Sequence, residues 1–165
     1  MCIRDRGEEV LAPGNPADPT QIIDARDLAE WMIRMAEKSV GGVYNATGPW
    51  RPLSMAEMLY GIKAIVDRDV YFTWVDADFL ETHGVRPWGH MTTWVPPKKG
   101  MEGFSRVDCS RALKEGLTFR PLAVTAQDTL SWYRTLPEEK RAKPRAGLPA
   151  DKEAEVLAAW HSRSA

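Results

Sequence analysis

Histidine and cysteine side chains are the first candidates for metal binding or nucleophilic catalysis in this chain. The sequence contains His83, His90 and His161, together with Cys2 and Cys109. No two of them have the short spacing that is typical of zinc sites, and no base neighbours Cys109 in the sequence. Two cysteines also make no disulfide framework, so we expect a reducing, cytoplasmic location. The sequence therefore predicts no metal site and no cysteine nucleophile.

Acidic residues are the next candidates, and they cluster where helices are expected to begin. Asp27 is followed three residues later by Glu30, which is the spacing of a capping box. Asp76, Asp78 and Glu81 surround another expected helix start. Carboxylates in the first turn of a helix are stabilised by the helix dipole. We therefore interpret both groups as helix caps and not as catalytic pairs.

Length, charge and hydropathy restrict the class of protein. The 165 residues carry a net charge of −1, which gives no electrostatic basis for binding nucleic acid or a membrane surface. No apolar run approaches the roughly 18 residues of a membrane span. We expect a non-native leader in residues 1–6, a folded part in residues 7–135, and a linker with a C-terminal amphipathic helix in residues 136–165.

The segment from Gln21 to Gly48 organises the predicted fold. Its pattern predicts a strand at Gln21–Ile23, a helix opened by Asp27, a stop at Gly41–Gly42 and a second strand at Val43–Ala46. Strand, helix and strand with short connections form the unit of parallel α/β sheets. The exposed parts expected from this arrangement are the edge at Val43–Ala46 and one face of the helix at Leu28–Met35.

Other elements follow from local patterns along the chain. The sequence predicts strands at Val10–Ala12 and Val70–Val75 and a long loop at Gly84–Gly103. It predicts helices that are opened by Ser54 with Glu57, by Asp76, by Asp108 and by Thr125, and a last helix at Asp151–Trp160. A charged linker is expected at Pro137–Arg145, with a basic run of Lys140, Arg141, Lys143 and Arg145. A loop of this length within a domain is usually functional or mobile.

Four motifs in order resemble the extended short-chain dehydrogenase/reductases, the NAD-dependent epimerase/dehydratase family. The similarity extends over residues 7–135. The matching segments are Asp24–Ala29, Gly42–Asn45 followed by Ser54, Asp108–Ala112 followed by Gly116–Pro121, and Thr125–Trp132. The resemblance implies an α/β fold class, namely the C-terminal portion of a Rossmann-type fold with a small mixed α+β substrate-binding region.

The residues on which this family's chemistry depends are absent from the sequence. No glycine-rich turn follows a strand, although such a turn holds the dinucleotide phosphates. No tyrosine is followed four residues later by lysine, since those positions after Tyr44, Tyr60, Tyr71 and Tyr133 hold Gly48, Ala64, Val75 and Pro137. In the family that tyrosine is the acid/base and the lysine lowers its pKa. We therefore expect the parent protein to bind NAD or NADP, and this chain to supply substrate contacts without cofactor-binding or catalytic residues.

Polar and aromatic side chains on loops are the candidate substrate contacts, because functional residues concentrate on such loops. The candidates are Gln21, Trp88, His90, Trp94 and Arg106. In members of the family that act on nucleotide sugars, an arginine from this half pairs with substrate phosphate, and Arg26 is the alternative to Arg106 for that role. The tryptophan-rich loop instead favours small aromatic ketones or aldehydes.

Several functions remain open at this stage. The first is the substrate-binding part of an NAD(P)-dependent oxidoreductase that acts on a small molecule. The second is a nucleotide-sugar epimerase or dehydratase, and the third is a non-catalytic NAD(P)-sensing protein or a small α/β interaction module. The resemblance also leaves open a homodimeric parent protein.

Overall fold

A computed structural model describes residues 9–66, 69–142, 144 and 146–163 of the chain. The expected leader at residues 1–6, Cys2, Lys143 and Arg145 lie outside the described residues. Within those ranges the fold is mixed α/β. Its elements are β1 (Glu9–Pro13), β2 (Pro19–Thr20), α1 (Ala25–Glu37), β3 (Leu53–Ser54), α2 (Met55–Lys63), β4 (Tyr71–Val75), α3 (Ala77–Thr82), α4 (Ser110–Lys114), α5 (Leu122–Thr135), α6 (Glu138–Ala142) and α7 (Ala150–Ser162).

Two small sheets connect distant parts of the chain. Strands β1 and β4 pair in parallel, with Leu11 opposite Thr73, whereas β2 and β3 pair antiparallel, with Thr20 opposite Leu53. A parallel strand is usually covered on both faces and reads as a continuous apolar run. Leu11, Ala12 and Val75 are buried in agreement with that rule. The predicted strands at Val10–Ala12 and Val70–Val75 are therefore confirmed.

The Gln21–Gly48 segment folds differently from its predicted strand–helix–strand pattern. Neither predicted strand of this segment forms, and a single backbone hydrogen bond, from Ile22 N–H to Gly48 C=O at 2.9 Å, joins the two regions. Helix α1 is present, but Asp24 and not Asp27 is its N-cap and accepts the Arg26 N–H at 2.9 Å. The cap predicted at Asp27 is wrong because that carboxylate is buried and bonded to a distant arginine.

Local capping signals explain most of the other helix starts. Ser54 and Glu57 form the predicted reciprocal capping box on α2, and Asp76 caps α3 by accepting the Phe79 N–H at 2.8 Å. Helix α5 begins at Leu122, so the cap predicted at Thr125 is wrong. Instead, the Thr125 hydroxyl donates to Asp24 at 2.8 Å. Helix α4 follows Cys109, while Asp108 accepts the Ser110 N–H at 2.9 Å.

The C-terminal region contains more structure than a linker and a helix. The predicted linker includes the short helix α6, and the last helix extends over Ala150–Ser162. Val156 and Leu157 of α7 are buried in one cluster with the sheet and with α2. Among the described residues no helix combines the length and the apolar character needed to cross a membrane.

Two apolar clusters hold the fold together. The larger one lies between the β1–β4 pair, α2, α3 and α7, and its buried members are Leu11, Ala12, Leu53, Met55, Met58, Leu59, Val75, Leu80, Val85, Trp94, Val156 and Leu157. The second packs Trp31 and Met35 of α1 against Ala112 and Leu117. The face of Leu28–Met35 that was predicted to be uncovered is therefore covered at Trp31 and Met35 by the α4 region, whereas Met32 is 57% exposed. Val43 is 82% exposed, as expected of an apolar edge at Val43–Ala46, although it belongs to no strand.

Candidate functional site

A cleft of about 510 Å³ contains two of the predicted site residues, Gln21 and Arg106, and is lined by both polar and apolar groups. Its walls come from three segments: residues 17–21, residues 49–57 and residues 105–113. The first two of these segments contain the antiparallel strand pair β2–β3. We call this cavity the Gln21 cleft.

Gln21 holds two walls of this cleft together. Its side-chain nitrogen donates to the Val107 carbonyl at 3.0 Å, and its side-chain oxygen accepts the Val107 N–H at 2.9 Å. The amide thus imitates a strand partner for Val107. A primary amide has two N–H donors, and the second one has no partner among the described residues. Gln21 therefore positions the 105–113 segment and keeps one donor for a ligand.

Arg106 lines the same cleft and is exposed. One of its guanidinium nitrogens donates to the Glu102 carbonyl at 2.9 Å. Within the described part of the chain it has no carboxylate partner. Arg51, the other arginine of the cleft, differs because its guanidinium is bonded to Glu57 at 2.9 Å. Of the two arginines, Arg106 is therefore the one that is available to pair with an anionic ligand.

His90 and Trp94 lie in another place, beside a cavity of about 60 Å³ next to β1 and α7. Trp94 is only 1% exposed, and its indole N–H donates to Asp18 at 2.8 Å. His90 accepts the Arg86 N–H on Nδ1 at 3.0 Å, so its neutral ring carries the proton on Nε2. The contacts of both side chains stabilise the conformation of the long loop. Their predicted role in substrate binding has no open cavity of ligand size to support it.

Trp88 lines neither of these two cavities. It is 60% exposed, has a φ of 60°, and packs edge to face on Phe104 with ring centroids 5.3 Å apart. The structure therefore divides the five predicted contacts among three places. Gln21 and Arg106 share a cleft, His90 and Trp94 share a small cavity, and Trp88 lies on the surface of the loop.

A second cleft of about 400 Å³ adjoins the first across the 49–53 loop and holds a charged cluster. Asp27 is buried and accepts from Arg120 twice, from Nε at 2.6 Å and from the backbone N–H at 2.8 Å. Arg26 bonds Asp24 at 2.7 Å and Asp128 at 2.6 Å. The hydrogen bond from Arg26 lowers the pKa of Asp24 far below its ordinary value. Since these charges satisfy one another, the cluster joins α1 to α5 and has no free acid or base.

The sequence prediction did not include two residues of these clefts. Arg120 is the partner of Asp27, and its only local signal is its place in a Phe-Arg-Pro turn. Trp50 lines both clefts and is 71% exposed. The signal for Trp50 is an aromatic residue in a short loop that has a proline on each side.

Metal binding has no support in the described residues, where no three histidine, cysteine, aspartate or glutamate side chains are grouped as ligands. Comparison of the chain with protein-family models, with curated protein sequences and with solved structures found no match. The function is therefore inferred from the residues and from the clefts.

Proposed function

We propose that this chain is the substrate-binding part of an NAD(P)-dependent oxidoreductase that resembles the extended short-chain dehydrogenase/reductases. The glycine-rich turn and the tyrosine–lysine pair would come from sequence outside these 165 residues. The substrate would occupy the Gln21 cleft, since that cleft combines polar, cationic and aromatic groups.

One observation carries the proposal: the motifs on which the resemblance rests are hydrogen-bonded to one another around the two clefts. Gln21, just before the first motif, bonds Val107, just before the third. Asn45 of the second motif donates to the Asp108 carbonyl at 3.1 Å. Asp27 of the first motif accepts from Arg120 of the third. In the proposal, these contacts allow the matching segments to form one substrate site.

In this proposal the chain does not hold the dinucleotide by itself, because no glycine-rich turn follows a strand in its sequence. A pyrophosphate needs free N–H groups at a helix N-terminus with a glycine-rich approach. The N-termini of α1 and α2 are occupied by Asp24 and by the Ser54–Glu57 capping box. In this proposal the chain binds and orients the substrate, while NAD or NADP, bound by the rest of the protein, supplies hydride chemistry.

A nucleotide-sugar epimerase or dehydratase is the second candidate within the same family. The observation that favours it is Arg106, which lines the cleft without a carboxylate partner among the described residues and is suited to a phosphate. A non-catalytic NAD(P)-sensing protein or an interaction module would lack the tyrosine–lysine pair altogether.

The coding sequence upstream of this chain provides the test. We expect it to encode a glycine-rich turn after a strand and a tyrosine followed four residues later by lysine. The extended protein should oxidise NADPH or NADH with aromatic aldehydes or ketones, and its tyrosine-to-phenylalanine variant should not. Activity with nucleotide sugars alone would support the second candidate. An upstream sequence without both motifs would overturn the oxidoreductase proposal.

A further inference from the structure

Trp50 presents a bare aromatic surface at the boundary between the two clefts. Its side chain is 71% exposed, although tryptophan is a large apolar residue that normally packs against protein. The loop that carries it contacts the protein on both sides of Trp50, because Gly48 is buried against Phe119 and Arg51 is bonded to Glu57. The uncovered indole ring provides a platform for another flat ring.

The charged groups around this platform differ in the partners that they have within the protein. Glu57 is bonded to Arg51 and to Ser54, and these contacts lower its pKa, so its charge is balanced within the protein. Asp108 accepts from the backbone N–H and the hydroxyl of Ser110, at 2.9 Å and 3.0 Å. Arg106 has no such partner among the described carboxylates. An incoming anion would therefore pair with Arg106 and avoid Asp108, whose hydrogen bonds from Ser110 leave it negatively charged.

We propose that the Gln21 cleft binds a planar aromatic ligand with one anionic group, the ring stacked on Trp50 and the anion paired with Arg106. This inference rests on the proposed role of the cleft as a substrate site. The aromatic anion has two sources, an aryl carboxylate and a nucleoside monophosphate, which share a flat ring and a negative charge. Both would gain from stacking and from a charge-assisted hydrogen bond.

Calorimetric titration of the 165-residue protein tests this directly. The probes are naphthoate as the aryl carboxylate, naphthamide as its neutral analogue, and uridine monophosphate. We expect a Kd of about 1 mM or tighter for at least one of the two anions. Tighter binding of naphthoate identifies the aryl carboxylate, and tighter binding of the nucleotide identifies the phosphate. Added salt should weaken binding of the anion and leave naphthamide unchanged.

Two variants separate the two contacts. Trp50→Ala should weaken binding of all aromatic probes by about tenfold, whereas Trp50→Phe keeps a ring and should lose less. Arg106→Ala should weaken binding of the anionic probes by about tenfold without changing the affinity for naphthamide. Arg106→Lys should recover part of the lost affinity. Circular dichroism verifies that each variant keeps the fold.

The chain offers matched controls for both side chains. Trp132 is 60% exposed on α5, and Arg134 is exposed on the same helix, and neither residue lines the two clefts. Trp132→Ala and Arg134→Ala should leave every affinity unchanged. The inference is overturned when neither anion binds, or when Trp50→Ala and Arg106→Ala bind as the unchanged protein does. Because no cofactor enters this titration, a failed hydride-transfer assay would count against the proposed function and not against this site.

Discussion

Glu153 Oε1 accepts the backbone N–H of Leu11 at 2.9 Å, across a separation of 142 residues. Strand β1 pairs with β4 along one edge, and the Leu11 N–H points to its other edge. A strand edge exposes unpaired backbone groups that other chains can bind. Helix α7 covers this edge with a buried carboxylate, and His161 of the same helix lies 2.8 Å from Glu9. The C-terminal helix is thereby part of the sheet's hydrogen bonding.

The Glu153 contact predicts a measurable effect on stability. Glu153→Ala removes the acceptor of a buried N–H, so we expect the free energy of unfolding to fall by about 1–3 kcal/mol. Glu153→Gln keeps an oxygen acceptor and should lose less. Urea denaturation measures both. The control is Glu155→Ala, which removes a surface pair with Lys152 on the same helix and should change stability by less than about 1 kcal/mol. Equal effects at both positions would contradict the role assigned to Glu153.

The buried Asp27–Arg120 contact predicts a second effect. Asp27→Ala should lower the free energy of unfolding by about 2–3 kcal/mol, because it removes two hydrogen bonds to a buried charged acceptor. Glu30→Ala removes a contact to the same arginine at an exposed carboxylate and should cost less than about 1 kcal/mol. Chemical denaturation of both variants compares them. A cost for Asp27→Ala no greater than that for Glu30→Ala would show that the buried contact adds no stability.

The close packing around Gly48 predicts that one added methyl group at this position lowers the stability of the fold. A Cβ at this position would overlap the Phe119 ring, with Cδ1 only 2.6 Å away. Gly48→Ala should therefore destabilise the fold by about 1–3 kcal/mol, as overpacked sites do. Gly41→Ala is the matched control, since a Cβ there would meet nothing within 4 Å. Thermal unfolding of both variants distinguishes them, and similar melting temperatures would refute the close packing of Gly48 on Phe119.

The capping box of α2 predicts that the folded protein loses stability in acid. Hydrogen bonds from Arg51 and then from Ser54 lower the pKa of Glu57 from 4.5 to about 2. The unfolded chain therefore binds more protons than the folded one between these values, so stability rises with pH in this window. The contribution is complete above about pH 4.5 and is lost as the pH falls through about 2.

Urea midpoints measured across this pH window test the prediction. Glu57→Gln should make the midpoint depend less on pH, because it removes the titrating group. Glu139→Gln on the exposed helix α6 is the control and should retain the dependence. A Glu57→Gln variant with the unchanged pH dependence would show that this carboxylate is not the group responsible.

If another part of the protein binds NAD or NADP, as proposed, these 165 residues should contain no dinucleotide site. Titration of the 165-residue protein with NADPH or NADH in a calorimeter should show no saturable binding, since no glycine-rich turn is present to hold the phosphates. The extended protein with its upstream sequence is the positive control and should bind. Saturable binding by the 165 residues with a Kd of about 1 μM would show that they contain a cofactor site.

The sequence predicted those elements that depend on near neighbours. The apolar runs of β1 and β4 and the caps at Ser54 and Asp76 are confirmed, because each capping hydrogen bond joins residues three positions apart. The cleft was predicted only in part. Gln21 and Arg106 do line it, whereas His90 and Trp94 fold the loop and Trp50 was not predicted.

The sequence by itself determined that this is a mixed α/β chain with capped helices, and it gave the motifs on which the family proposal rests. The tertiary structure alone decided the roles of Asp27, Gln21 and Glu153. Their partners Arg120, Val107 and Leu11 lie 93, 86 and 142 residues away in sequence. Local patterns carry no information about such distant partners. The carboxylate of Asp27, predicted as a cap, instead bonds Arg120, and the amide of Gln21, predicted as a substrate contact, also bonds Val107.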